Sequence, residues 1–121
     1  MLRWRHAFYA SGLKPGDRAA MLLTNSIEAV IFDQAALAAG LIPVPLHAVD
    51  TPGSSAYILH DSGARILVTS SRARWNALHA AAGETLPMLE QVELLNELDD
   101  EVIDGVRISG VESWLARGNG T

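Results

Sequence analysis

The sequence contains no cysteine, which excludes disulfides, thiolate metal sites, iron–sulfur clusters and cysteine nucleophiles. A long apolar run is also missing, because the longest stretch of low charge, residues 35–49, is interrupted by Gly40, Pro43 and Pro45 and is too short to cross a bilayer. Basic residues are few: 9 Lys and Arg stand against 14 Asp and Glu, which disfavours nucleic-acid binding. We therefore expect a cytoplasmic protein without a transmembrane segment.

The composition is that of one small folded unit. The chain has 121 residues, of which 49% are apolar and 19% charged, so it can bury a core and is not disordered as a whole. Residues 84–121 carry 9 of the 14 acidic groups and 2 of the 9 basic groups. We expect residues 1–121 to form a single piece, with a weaker structural pattern and an acidic loop in 84–121.

The first part of the chain predicts a helix, a strand and a second helix. Residues 2–13 have helical spacing without an N-terminal cap, which suggests that the element is cut. A turn at 14–17 and an apolar strand at 18–23 follow. The helix predicted over 27–39 is capped by Asn25 and stopped by Gly40. Because it is apolar around most of its circumference, we expect it to be buried on more than one side.

Two further strand–helix pairs follow. Residues 41–46 predict a short strand at a sheet margin, because Pro43 and Pro45 remove two backbone donors. A helix begins after Thr51 and is closed by Ser62-Gly63. A strand covers 65–69, and a helix capped by Ser70 or Ser71 continues to residue 82. Short apolar strands that alternate with helices indicate an α/β fold, with a mostly parallel sheet and helices on its faces.

The pattern weakens from residue 84 onward. Residues 88–95 and 106–108 are candidate strands, and the acidic stretch 96–104 between them is interpreted as a solvated loop. Ser109 is the candidate cap of a last short helix over 111–116. Residues 117–121 are predicted to be a flexible end.

No complete catalytic or metal-binding pattern is present. The four histidines have no ligand spacing, although the one at 47 follows a strand, where ligands bind in such sheets. The acidic run does not match a calcium-binding loop, and the glycines match neither of the common phosphate loops. The histidines are His6, His47, His60 and His79, the acidic run is Asp99-Asp100-Glu101 with Asp104, and the glycines are Gly12, Gly16, Gly118 and Gly120.

Two hydroxyl-rich segments follow predicted strands and precede helices. Thr24-Asn25-Ser26 and Thr69-Ser70-Ser71 occupy positions where backbone N–H groups can hold an anion, but helix capping alone explains them. The three tryptophans, Trp4, Trp75 and Trp114, are interpreted as packing anchors, because an acidic domain gives little reason for base stacking.

The ordered segments from residue 11 to 69 resemble the N-terminal region of the adenylate-forming (AMP-binding) enzymes. The matching pieces are GLKPGDRAAMLLTNS at 12–26, FDQAALAAGLIPVPL at 32–46, Thr51-Pro52, and AYILHDSGARILV at 56–68. The FDQAAL portion resembles the bacterial long-chain fatty acid–CoA ligases most.

The resemblance implies a reaction in two steps. A fatty carboxylate is adenylated by ATP with Mg²⁺, and CoA then displaces AMP. The phosphate loop, the Tyr–Thr–Glu motif, the ribose-binding Asp and the catalytic Lys of the family do not occur here. We therefore assign no catalytic, cofactor-binding or metal-binding residue to this chain, and expect an inactive, scaffold-only fragment whose partner is the remainder of the ligase.

The alternative to the ligase fragment is a stand-alone α/β interaction or small-ligand module. If the chain is a fragment, its sheet lacks the neighbouring elements of the whole enzyme, and an edge and an apolar face should be uncovered. This predicts self-association, as a dimer.

Overall fold

The computed structural model describes residues 2–23, 27–46, 51–82, 88–95, 100–103 and 106–119. Helices and strands alternate through most of this part of the chain. Their order is α1 (Leu2–Ala10), β1 (Arg18–Leu22), α2 (Ile27–Ala38), β2 (Ile42–Pro45), α3 (Pro52–Ser62), β3 (Ile66–Thr69), α4 (Arg72–Ala82), β4 (Gln91–Leu94), β5 (Asp100–Ile103), β6 (Val106–Gly110) and α5 (Val111–Asn119).

The strands form one mixed sheet in the order β2-β1-β3-β4-β6-β5. The first five strands in this order are parallel to their neighbours, and β5 alone runs antiparallel, against β6. The register places Val68 of β3 opposite Glu93 of β4, which in turn lies opposite Ser109 of β6. The α/β fold predicted from the alternating pattern is confirmed.

Strand β2 lies at one edge of the sheet, as its prolines predict. The amides of Ile42 and Leu46 donate to carbonyls at residues 17 and 21, at 2.9 and 2.8 Å. In a strand, alternate residues present their amides to opposite sides, so Pro43 and Pro45 occupy the positions whose amides would point outward. Neither has an N–H, and the free edge of β2 therefore lacks donors at these positions.

Helices cover both faces of the sheet and create two apolar cores. Helices α1, α2 and α5 cover one face, where Trp4, Phe8, Phe32 and Trp114 meet edge to face at ring-centroid distances of 5.1 to 6.4 Å. Helices α3 and α4 cover the other face, where Trp75 is 2% exposed. The interpretation of the tryptophans as packing anchors is confirmed.

The prediction that α2 is buried on more than one side is wrong for the described part of the chain. One side of α2, with Phe32, is fully buried against α1 and strands β1 and β2. On the opposite side, Ile27, Val30 and Leu37 are 76%, 60% and 56% exposed. The reason is position: α2 is the outermost helix of its layer, next to edge strand β2, and no described element covers its outer side.

Two glycines hold the turn before β1 against the end of α2. The Gly16 amide donates to the Gly40 carbonyl at 2.8 Å, and both glycines have a positive φ, of 92° and 80°. A Cβ on Gly40 would lie 3.2 Å from the Pro15 Cβ, which is too close for an undisturbed turn. The predicted turn at 14–17 and the predicted helix stop at Gly40 are confirmed.

The last third of the chain departs from its predicted pattern in three places. Residues 100–103 of the predicted acidic loop form strand β5, because Val102 and Ile103 are good strand formers and pair with Arg107 and Val106. Ser109 is not a helix cap but a buried residue of β6. Helix α5 continues to Asn119, so the predicted flexible end begins inside a helix.

No helix in the described ranges combines the length and the apolar character that crossing a membrane requires.

Candidate functional site

The carboxyl edge of the parallel strands is where a ligand site is expected in an open α/β sheet. Thr69, the last residue of β3, is fully buried, and its hydroxyl donates to the Leu22 carbonyl at 2.9 Å. The Ser71 hydroxyl accepts from the Arg74 amide at 3.4 Å, at the start of α4. The Thr69 hydroxyl therefore links β3 to β1, and the Ser71 hydroxyl caps the start of α4. The capping interpretation is confirmed for Ser71.

The other candidates at this edge are outside the described residues. They are Thr24-Asn25-Ser26, which follows β1, and His47, which follows β2. Their predicted roles, as a cap and as a residue near a ligand path, stay predictions.

The remaining histidines do not meet. His6 is exposed on α1 and His60 is exposed on α3, on opposite faces of the sheet. His79 stacks on Trp75 within α4, with ring centroids 4.9 Å apart. Of the acidic run, Asp99 and Asp104 lie outside the described residues. Among the residues that the structure describes, no three His, Asp or Glu side chains are placed to hold a metal ion.

A buried carboxyl group that the sequence pattern did not single out lies in the middle of the sheet. Glu93 is 0% exposed, although charged residues are rarely buried so fully. The Ser109 hydroxyl on the neighbouring strand is 2.8 and 2.6 Å from its two carboxylate oxygens. Because Val68, its register partner, belongs to the core under α1 and α5, Glu93 points into that same layer.

The alternation of residues 91–94 is the one sequence signal that bears on this group, and it predicts exposure rather than burial. Gln91 and Glu93 alternate with Val92 and Leu94, which is the pattern of a strand with one apolar and one solvated face. Helices α1 and α5 cover the polar face as well, and Gln91 is only 8% exposed. A pair such as Glu93 and Ser109 specifies how β4 and β6 align, because any other register would leave a buried polar group without its partner.

The amino edge of the sheet carries a small ionic cluster. Arg65, which precedes β3, lies 3.6 Å from the Asp17 carboxylate and 3.4 Å from the Glu90 carboxylate. These pairs are partly exposed to solvent, so their contribution to stability is small. Their arrangement aligns the starts of β1, β3 and β4.

A pocket also opens at the amino edge. It has a volume of about 390 Å³ and is lined by Ala7, Ala10, Ser11, Glu90, Gln91, Arg107 and Trp114. The Trp114 Nε1–H donates to the Ser11 hydroxyl at 2.7 Å, which itself donates to the Ala7 carbonyl at 2.8 Å. The Trp114 Nε1–H and the Ser11 hydroxyl in this pocket are therefore already hydrogen-bonded to each other. The pocket also lies at the edge of the sheet opposite the carboxyl edge, where sheets of this type bind ligands.

In the described part of the chain, the candidate polar groups and the aromatic side chains serve hydrogen bonding and packing. The hydroxyls at the carboxyl edge complete backbone hydrogen bonds, the buried carboxyl group holds two strands in register, and the tryptophans fill the two cores.

Comparison with known proteins identifies a family. The family model described as "AMP-binding enzyme" matches residues 2–114. Malpibaldin synthetase of Mortierella alpina is 46% identical over 59 residues, which are 49% of this chain and 1% of that protein. Phosphinothricin tripeptide synthetase PhsB of Streptomyces viridochromogenes is 35% identical over 89 residues, 74% of this chain and 7% of that protein.

A third relative and two solved structures are similar as well. Oxalate–CoA ligase of Arabidopsis thaliana is 35% identical over 72 residues, 60% of this chain and 14% of that protein. The anthranilate CoA ligase AuaEII has a TM-score of 0.76 at 24% identity, covering 94% of this chain and 20% of that one. The N-terminal domain of FACL13 from Mycobacterium tuberculosis has a TM-score of 0.71 at 21% identity, covering 98% and 26%. At such identities, the structures show a shared fold, and the chain spans 26% or less of each of these relatives.

Proposed function

The chain belongs to the AMP-binding enzyme family, and on this premise we propose that it is the N-terminal scaffold of a ligase that adenylates a long-chain fatty acid and transfers it to coenzyme A. The observation that carries the proposal is the family match over residues 2–114. The solved N-terminal domain with the same fold supports the placement. The cysteine-free sequence fits action in the cytoplasm.

The choice of a fatty acid rests on the FDQAAL segment in α2. The structure buries Phe32, Ala35 and Ala36 of this segment beneath α1, so these residues serve packing. The segment therefore supports the proposal through its resemblance to the long-chain ligases and not through contact with an acyl chain. Transfer to CoA is supported by the likeness to oxalate–CoA ligase and to anthranilate CoA ligase.

A second candidate is the adenylation unit of a peptide synthetase. Its specific support is the 35% identity to phosphinothricin tripeptide synthetase PhsB over 89 residues. The two candidates share the adenylation step and differ in the carboxylic acid and in the acceptor.

We assign the chain a structural role in either enzyme. Adenylation depends on groups that hold the phosphates and neutralise their charge. The hydroxyls of Thr69 and Ser71, at the carboxyl edge of the sheet, already complete backbone hydrogen bonds. The 121-residue chain is therefore expected to have no adenylation activity of its own.

ATP–pyrophosphate exchange tests both parts of the proposal. The coding sequence is first read beyond Thr121, where we expect an open frame that encodes a Ser/Thr/Gly-rich loop ending in Lys. The protein from that longer frame should exchange pyrophosphate with palmitate and then form palmitoyl-CoA, and the 121-residue chain should match a blank. Exchange with amino acids but not with palmitate would favour the peptide synthetase. Exchange by the short chain would overturn the scaffold role, and a natural stop after Thr121 would favour a stand-alone module.

A further inference from the structure

The pocket at the amino edge of the sheet contains a buried amide group without a partner. Gln91, at the start of β4, is more than nine-tenths buried, and within the described part of the chain its side-chain amide makes no hydrogen bond. Buried polar groups are normally hydrogen-bonded to protein or to water. No buried side-chain N or O atom of the described residues is both fully enclosed and unpartnered, so the amide of Gln91 keeps its access to the pocket that it lines. It therefore offers donors and an acceptor to a ligand there.

Arg107 lies beside Gln91 on the same face of the sheet. The two residues are register partners in β6 and β4, and neighbouring strands lie about 4.8 Å apart. The residues that follow them, Val92 and Ile108, belong to the core under α3 and α4, so Gln91 and Arg107 point toward α1 and α5. Arg107 is exposed and also lines the pocket, which places a guanidinium group next to the buried amide.

The helices supply an apolar wall. It is formed by Ala7 and Ala10 of α1 and by Trp114 of α5, whose Nε1–H is already bound to the Ser11 hydroxyl at 2.7 Å. The pocket therefore joins an apolar wall to a polar floor, which fits a ligand with an apolar body and a polar head group. Its volume of about 390 Å³ is near the small end of ligand pockets, so the body is a single ring or a short branched chain.

The charges around the pocket favour an anionic head group. The guanidinium of Arg107 is positive, whereas Glu90, the acidic residue among those that line the pocket, lies 3.4 Å from Arg65, which offsets its charge. A guanidinium group and an amide N–H can each donate to one oxygen of a carboxylate, and such charge-assisted hydrogen bonds are the stronger ones. A neutral amide would pair with Gln91 but would gain nothing from the charge of Arg107.

We propose that this pocket binds a small carboxylic acid as its anion. Gln91 and Arg107 hold the carboxylate, and the ring or short chain of the acid packs against Ala7, Ala10 and Trp114. The proposal rests on the residues of this pocket and not on the proposed function, because the pocket opens at the amino edge and adenylation is expected at the carboxyl edge.

Titration of the isotope-labelled 121-residue chain with sodium benzoate, followed by two-dimensional NMR, tests the proposal. The indole N–H of Trp114 and the side-chain amide of Gln91 give separate signals, which are assigned from variants that lack each group. Both signals should shift in a saturable way, with a millimolar dissociation constant typical of so small a ligand. Neutral benzamide and cationic benzylamine should bind at least roughly tenfold more weakly, because neither forms the charge-assisted pair.

Three variants identify the groups that hold the ligand. Arg107→Gln removes the positive charge, and Gln91→Leu removes the amide at similar volume; each should weaken benzoate binding roughly tenfold. Ala10→Phe places a ring in the pocket from the exposed end of α1 and should abolish binding, although both polar groups remain. Arg18→Gln is the matched control and should bind like the parent chain, because Arg18 is an exposed residue at the start of β1, on the same edge of the sheet and away from the pocket.

Signals that do not shift, or that shift without saturation, would overturn the proposal. Equal binding of benzamide or benzylamine would refute a carboxylate as the ligand class. A control variant that weakens binding as much as Arg107→Gln would show attraction by the general charge of this edge, and the site would be refuted. Circular dichroism confirms that each variant is folded, and Ala10→Phe, on the exposed end of a helix, provides the test if Gln91→Leu does not fold.

Discussion

Removal of the Ser109 hydroxyl tests whether the buried Glu93 carboxyl group depends on its neighbour in β6. The variant Ser109→Ala removes a donor that lies 2.8 and 2.6 Å from the two carboxylate oxygens. Both residues are 0% exposed, so water cannot replace the lost hydrogen bond. The change in volume is small, and the effect of a cavity can be neglected.

The expected loss in free energy of unfolding is about 2 kcal/mol. A net hydrogen bond contributes about 1 kcal/mol when both groups are neutral and about 1.5 to 3 kcal/mol when one is charged. For a chain of this length, such a loss lowers the melting temperature by roughly 6 to 10 °C. The matched control is Ser62→Ala, which removes a half-buried hydroxyl bonded to the Leu59 carbonyl at 3.1 Å and should cost less than about 1 kcal/mol.

Urea unfolding followed by tryptophan fluorescence provides the measurement. Trp4, Trp75 and Trp114 are buried, so their emission reports exposure of both cores. The protein is kept at low micromolar concentration so that self-association does not contribute. If Ser109→Ala and Ser62→Ala shift the urea midpoint equally, the buried pair does not stabilise the β4–β6 alignment, and the reasoning fails.

Three further substitutions test other features of the fold. Trp114→Phe removes the hydrogen bond from Nε1 to the Ser11 hydroxyl and should lower the free energy of unfolding by about 1 to 3 kcal/mol; an unchanged urea midpoint would contradict this. Gly40→Ala should destabilise the chain by at least about 1 kcal/mol more than Gly12→Ala, because both have a positive φ but only Gly40 meets a neighbouring atom within 4 Å; thermal melting compares the two. Pro43→Thr supplies an outward N–H on β2 and should raise light scattering at high concentration, and equal scattering would show that the proline does not protect this edge.

The order of strands and helices up to residue 82 was predictable from the sequence because each signal is local. Apolar runs of four to six residues alternate with helical periodicity, and Gly40 and Gly63 adopt the positive φ that ends a helix. The position of β2 at the edge was predictable for the same reason, since a proline removes a donor wherever it stands. The capping role of Ser71 and the packing role of the tryptophans likewise followed from short patterns.

The absence of a catalytic pattern was also a local observation. The expectation that the chain carries no catalytic residue rests on motifs that the resemblance implies and that the sequence lacks, and it stays a prediction. The structure adds where the candidate hydroxyls are: Thr69 bonds to the Leu22 carbonyl on the neighbouring strand β1, a contact that no local pattern could indicate.

Only the tertiary structure decided which faces are covered. The residues of α2 predict an apolar helix, but whether its outer side is buried depends on what lies beyond the edge of the sheet. Glu93 and Ser109 are 16 positions apart and meet because β4 and β6 are neighbours. Strand β5 forms from an acidic segment because pairing with β6 satisfies its backbone. The sequence by itself determined the elements and their turns, since these depend on near neighbours along the chain. Burial and strand pairing depend on contacts between distant segments, and these exist only after the chain has folded.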